Sequence, residues 1–223
     1  YSNGATMWSI LRLAEKSGEK KYLDFVKQFC EFTLDDYDVF MHQYYALNAY
    51  KGHNYRIWRM HMLDDASAPA LPYVFLYDKG ELPDAWFLIE KAAKYAAEEQ
   101  YRLDDQTLCR PEPSRWTIWA DDLFMYVPFI LKYAEITVND ELIRDAVHQT
   151  KMFYNYLFDK KKGLYYHGWL SETNRHSVAN WSRANGWVTW AMSELLMHLP
   201  EDTKDYKELI KLHKEHLDGL LKY

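Results

Sequence analysis

Leu123-Phe124-Met125-Tyr126-Val127-Pro128-Phe129-Ile130-Leu131 opens the stretch, residues 123–157, whose reading decides how the chain folds. Its apolar run carries to Ala134, breaks at Thr137-Val138-Asn139-Asp140, and resumes at helical spacing from Glu141 to Leu157. The pattern predicts a helix, a tight polar turn and a second helix. The same unit recurs on either side. Met7, Ile10, Leu11, Leu13 and Ala14 make one apolar face before Ser17-Gly18-Glu19-Lys20 breaks it, and Tyr22, Phe25, Val26, Phe29 and Phe32 make the next. Ala68 to Tyr77 leads through Asp78-Lys79-Gly80-Glu81-Leu82-Pro83 to a helix from Asp84 to Tyr101. Trp187 to Leu199 leads through Pro200-Glu201-Asp202 to Tyr206 through Leu221.

The turns at Gly18, Gly80, Asn139 and Glu201 recur with a period of about 60 residues, room for two helices and a connecting loop. Extended structure is confined to short pieces such as Gly163-Leu164-Tyr165-Tyr166-His167-Gly168-Trp169. The longer loops between units are expected at one end of the array. Successive hairpins would then run inner helix up and outer helix down, as in an α/α toroid or an open solenoid. The polar Lys204 to Lys222 segment is compatible with the capped end of a solenoid.

Composition narrows the function classes. The 223 residues are 48% hydrophobic and 27% charged, a globular balance. Nine Trp, nineteen Tyr and ten Phe make 17% of the chain. Such rings fill cores, and they also stack on the apolar faces of sugars. A net charge of −6 argues against a nucleic-acid partner, which would require a basic face. Cys30 and Cys109 stand alone and read as buried thiols. No apolar run is long enough to span a membrane. The expectation is a soluble protein, cytoplasmic or periplasmic in a bacterium; oligomeric state is not legible.

Paired acids echo between two units. Met62-Leu63-Asp64-Asp65-Ala66 and Trp119-Ala120-Asp121-Asp122-Leu123 each precede an inner helix. An Asp at that place is a good helix cap and suits the helix dipole. Trp119, two residues before Asp121, adds a second reading: a carboxyl pressed against an indole loses hydration, its pKa rises, and a general acid results. Asp35-Asp36 and Asp104-Asp105 follow outer helices and read as solvated loop acids. Tyr165-Tyr166-His167-Gly168-Trp169 places a His among aromatic residues on a short strand, as a structural residue or as a ligand contact. In Asn180-Trp181-Ser182-Arg183-Ala184-Asn185-Gly186-Trp187, Arg183 and Trp187 are four apart and share a helical face. There the guanidinium could pair with a sugar carboxylate while the indole stacks, or the two could pack on each other. Gly52-His53-Asn54 and Gly80 belong to no glycine-rich phosphate loop, and no nucleophile elbow or zinc helix motif occurs. His213 and His216 lie on the polar last helix and are expected to be exposed.

Together these three motifs resemble the unsaturated rhamnogalacturonyl hydrolases of glycoside hydrolase family 105, with the unsaturated glucuronyl hydrolases a more distant match. Arg59-Met60-His61-Met62-Leu63-Asp64-Asp65-Ala66 looks like that family's first acidic motif, and the resemblance runs from Met7 to the end. It implies an all-α (α/α)6 barrel, of which residues 1–223 would form one incomplete toroid domain with four of six hairpins visible. It also implies removal of a 4,5-unsaturated uronic acid, galacturonyl or glucuronyl, from the non-reducing end of lyase-generated acidic oligosaccharides such as those from pectin. The double bond is hydrated rather than the anomeric carbon attacked. Asp121 would be the acid, with Asp64 or Asp65 as the second carboxylate. Arg183 would hold the uronate, His167 would bond the sugar, and Trp119, Trp181 and Trp187 would form walls. No metal or organic cofactor is implied. Ala184 stands where the family usually has Gly, and the family's domain is considerably longer. The alternatives are another α/α-toroid carbohydrate enzyme (an inverting glycosidase, a lyase or an epimerase) or a non-catalytic helical-repeat carbohydrate-binding module.

Overall fold

A computed structural model describes residues 1–48 and 55–223; Gly52-His53-Asn54 lies outside the described residues. The chain forms two compact units, Tyr1–Glu99 and Gln100–Tyr223. The first holds helices α1 (Ser2–Ser17), α2 (Lys20–Asp35), α3 (Tyr37–Ala46), α4 (Tyr55–Arg59), α5 (Ser67–Asp78) and α6 (Trp86–Lys94). The second holds β1 (Thr117–Trp119), α7 (Asp121–Thr137), α8 (Asp140–Leu157), β2 (Phe158–Asp159), β3 (Leu164–Tyr165), β4 (Gly168–Leu170), β5 (Arg175–His176), α9 (Ser182–His198) and α10 (Lys204–Leu220).

The four expected hairpins are α1/α2, α5/α6, α7/α8 and α9/α10. Local chemistry sets their turns. Gly18 closes α1 at φ 69°, its N–H reaching the Ala14 carbonyl, a conformation only glycine adopts without strain. Asn139 caps α8 by accepting from the Glu141 N–H, and Thr203 caps α10 by accepting from the Tyr206 N–H. The helices then sort by burial. In α5 and α7 most residues are buried, with Phe124, Tyr126 and Phe129 sealed within α7. By contrast α2, α8 and α10 bury one stripe each. Within the first unit α1 packs on α5; within the second α7 packs on α9. Each sealed Leu or Phe of α7 contributes about 1.5–3 kcal/mol of burial.

Short strands fill the loops of the second unit. β1, β4 and β5 form an antiparallel sheet in that order, with Trp119 opposite Gly168 and Thr117 opposite Leu170. β2 and β3 pair as a small hairpin. Cys30 and Cys109 are buried free thiols, as expected. Among the described residues no helix is long and apolar enough to cross a membrane.

One expectation is corrected here. His213 and His216 are buried, at 7% and 0% exposure, because they continue the inward stripe of α10 begun by Leu209. Spacings of four and three place all three on one helical face. The polar character of α10 lies on its other side.

Candidate active site

Asp121 is the first residue of α7, yet it does not cap it. The cap position falls on Ala120, and no side chain bonds the first-turn amides there. The carboxylates of the doublet are drawn elsewhere. Asp122 takes the Arg110 fork, Nε to Oδ2 at 2.8 Å and Nη2 to Oδ1 at 2.6 Å, with both side chains almost fully buried. This is the bidentate geometry that holds a guanidinium most firmly. Asp121 meets two basic side chains from other segments. Arg183 Nη2 donates to Oδ1 at 3.0 Å, and His167 Nε2 stands 3.1 Å from Oδ2. Oδ2 and Nε2 are shielded from solvent, and neither makes a well-aligned hydrogen bond elsewhere among the described residues. One carboxylate oxygen is thus buried, faces an imidazole and has lone pairs to spare.

The backbone delivers these groups. The Ala120 N–H donates to the His167 carbonyl at 2.9 Å, so the residue before the acid is tied to the residue that faces it. Gly168 lets the two strands close: a Cβ there would lie 3.2 Å from the Ile118 carbonyl oxygen and 3.5 Å from Trp119 Cδ1. Trp119 stands against His167, ring centres 4.9 Å apart, and Arg110 lies 4.2 Å from the Trp119 ring centre. Trp181, half exposed, faces His167 at 5.4 Å and carries the Arg183 guanidinium at 5.1 Å.

Two expectations change. Burial alone would push the Asp121 carboxyl up, but the His167 contact, then the Arg183 and Arg110 charges, outweigh it and hold the group below the usual carboxylate range. The expected elevation by Trp119 is therefore overturned. Arg183 and Trp187 also part company. Arg183, on the first turn of α9, reaches back to Asp121 and Trp181, while Trp187 stacks on Phe124 at 4.4 Å and Trp190 at 5.9 Å.

Asp64 and Asp65 lie in the first unit, just before α5, and they too leave its cap to an unbonded Ala66. Asp65 is sealed and takes Arg59, with Nε at 3.1 Å and Nη2 closer, while Arg56 stands 3.6 Å away. Both doublets follow one rule: the second acid binds an upstream arginine.

Three contributors escaped the sequence reading. Arg110 sits in no motif, and its partner is twelve residues away. Asn185 lay inside a quoted motif without a role. It is fully buried, its Oδ1 accepts from the Tyr165 N–H at 2.8 Å, and its Nδ2 donates to the Tyr165 and Trp181 carbonyls at 3.0 Å each. His216 Nε2, 3.1 Å from Asn185 Oδ1, completes the set. Because that oxygen only accepts, His216 must be protonated at Nε2. One amide thus holds β3, the start of α9 and α10 together, and β3 leads directly to His167. A polar side chain between Ala184 and Val188 on an inward face was the available signal.

Antiparallel helix pairs packed through sealed inner helices, with site residues at the helix mouths, define an α/α-toroid fold. The chain belongs to Glycosyl Hydrolase Family 88, whose profile it matches over residues 1–223. Among curated relatives, an "Unsaturated 3S-rhamnoglycuronyl hydrolase" of Formosa agariphila is 30% identical over 173 residues, 69% of this chain and 44% of that protein. Among solved structures, a possible GH105 family member from Salmonella enterica superposes with TM-score 0.77 at 21% identity, over 98% of this chain and 54% of that one. A family 105 glycoside hydrolase of C. acetobutylicum gives 0.79 at 22%, over 98% and 59%. The chain thus spans little more than half the length of these structures and matches less than half of that relative.

Proposed function

We propose that this chain carries the acid centre of a hydrolase that removes a 4,5-unsaturated uronic acid from the non-reducing end of lyase-generated oligosaccharides. The observation that carries the reading is one carboxylate, Asp121, held between His167 and an arginine that keeps donors to spare. Ordinary glycosidases need two spaced carboxyl groups, an acid and a base or nucleophile. Here the neighbouring carboxylate, Asp122, is taken by Arg110. Hydration of a vinyl ether needs one group that gives a proton and takes one back. Asp121 would protonate C4, leaving positive charge at C5 that the ring oxygen shares. Water adds at C5 and returns its proton to Asp121. The hemiketal then opens to a C5 ketone, and the hemiacetal left at C1 expels the neighbouring sugar.

The low carboxyl pKa of the free site fits this order of events. Arg183 uses one Nη for Asp121, and its side chain is 42% exposed, so its remaining N–H groups can take the substrate carboxylate. That pairing draws the guanidinium's charge away from Asp121 and brings a second negative charge nearby. Both effects raise the carboxyl pKa, so the acid gains its proton as substrate binds. Trp119, Trp181 and His167 would line the sugar, and Trp187 would support the wall through Phe124. The name borne by the Formosa agariphila relative supports this substrate class.

The test is loss of the ultraviolet absorbance of the conjugated uronate in lyase digests. Wild type should consume it, and Asp121→Asn should not. A wild-type protein inert on both galacturonyl and glucuronyl digests would overturn the reading, as would an Asp121→Asn variant that retains full rate.

A further inference from the structure

Beside the Asp121 centre, the same sheet borders a second concavity. A cleft of about 460 Å³ is lined by Trp116, Tyr156, Trp169, Arg102, Asp104, Asp105 and Ser171, among others. None of these residues belongs to the acid centre. β1 and β4 run antiparallel, with the Trp119–Gly168 pair at one end and the Thr117–Leu170 pair at the other. His167 precedes the first end; Trp116 and Ser171 lie just past the second. Two residue steps of strand separate the two ends, about 7 Å.

The lining is built for a flat ring without charge. Trp116 is 43% exposed and sits at φ 62°, a left-handed conformation that strains any residue with a Cβ. It is held there by its N–H bond to the Arg110 carbonyl at 3.0 Å and by Tyr101, ring centres 5.2 Å apart. A strained backbone that presents a large aromatic face to solvent calls for a functional reason. Trp169 stands 4.7 Å from Tyr156, and its Nε1 is fixed by Asn174. Asp105 accepts from the Thr107 N–H and from the Tyr156 hydroxyl, which fixes the orientation of its carboxylate. Asp104 is exposed. The guanidinium at this edge, Arg102, is engaged by Asp145 through two bonds of 2.9 Å. Aromatic faces with free acceptors suit a sugar's C–H face and hydroxyls. The acids repel a carboxylate.

We propose that this cleft is a second saccharide subsite, which binds an uncharged pyranose ring of the oligosaccharide whose unsaturated end occupies the Asp121 centre. The inference rests on the hydrolase reading for its link to turnover, but its binding chemistry can be measured separately. The cleft residues lie past the far end of that strand, which places the ring beyond the second sugar, out of reach of a disaccharide.

Two measurements test it. In the first, kcat/KM is compared for the unsaturated disaccharide and tetrasaccharide of one lyase digest. Wild type should favour the tetrasaccharide by roughly three- to tenfold, the factor expected of a stacking contact. Trp116→Ala and Trp169→Ala should each remove that preference while leaving the disaccharide rate unchanged. Equal rates on both lengths in wild type, or a preference that survives both variants, would overturn the subsite. The second measurement needs no turnover. The same tetrasaccharide, chemically stripped of its unsaturated end, is titrated while the Trp169 indole N–H is followed by NMR. A saturable shift that is lost in Trp116→Ala supports the subsite even if the hydrolase reading has failed; no shift in wild type overturns it even if the enzyme is active.

Discussion

At Asp121 the direction of the pKa shift has a kinetic consequence. In the free site the carboxyl is held low by His167, Arg183 and Arg110 against the upward push of burial. If Asp121 must be protonated to act, the rate falls as pH rises through its pKa. On the proposed reading bound uronate would raise that pKa, so the alkaline limb of kcat should lie at higher pH than the alkaline limb of kcat/KM, since the two report the complex and the free protein. Coincident limbs would mean that substrate charge does not reach Asp121. The sequence singled out Asp121 as the candidate acid, through Trp119 and the inner-helix position. It could not show the sign of the shift. Trp119 is a neighbour in sequence, whereas His167 and Arg183 arrive from 46 and 62 residues away, and only the fold aims them at the carboxylate.

Among the elements, β3, α9 and α10 meet at Asn185, and two substitutions probe that junction. Burial pushes His216 down to about 4, from a usual value near 6.5, with His213 adding to the effect. The unfolded chain therefore binds a proton below pH 6.5 that the native state refuses until about pH 4. The stability from neutral His216 is complete above pH 6.5 and is lost as pH falls to 4, about 3 kcal/mol in all. Urea midpoints measured at pH 7 and pH 4.5 should fall less in His216→Gln than in wild type. Gly219 supplies the second probe. A Cβ there would lie 1.9 Å from the Gly163 carbonyl oxygen, so α10 must move off the loop before β3. Gly219→Ala should cost about 1–3 kcal/mol in denaturant unfolding, the usual penalty of overpacking. A Cβ at Gly186 meets nothing within 4 Å, and Gly186→Ala should leave the midpoint unchanged or raised. The periodic hairpins were legible because apolar residues recur at helical spacing in each helix and polar turns break the runs between them. The burial of His213 and His216 escaped because the many charges of α10 masked a stripe running 209, 213, 216.

For the whole molecule, charge is the property that composition sets. The chain carries 27 basic against 33 acidic residues, and the proposed substrate is itself an anion. Long-range repulsion should slow encounter at low salt, while the short contact with Arg183 is little screened. Raising ionic strength to about 0.15 M, where the screening length is about 8 Å, should raise kcat/KM for acidic oligosaccharides. A steady fall with salt would mean that a local positive field dominates capture. Family membership was legible from three motifs in order, and the hairpins from the recurring turns. The sheet β1-β4-β5 was legible only as one extended segment, since strands of two or three residues have too little pattern to stand out.

Asp121 opens the hairpin α7/α8, whereas Arg183 opens α9/α10, and His167 rides on the strands between them. On the proposed reading, proton transfer and anion capture would therefore sit on separate repeats. Exchange of the later hairpin between related chains would change which anion is held while the acid stays in place. A lineage built this way can diversify its diet by recombination, without redesigning its chemistry.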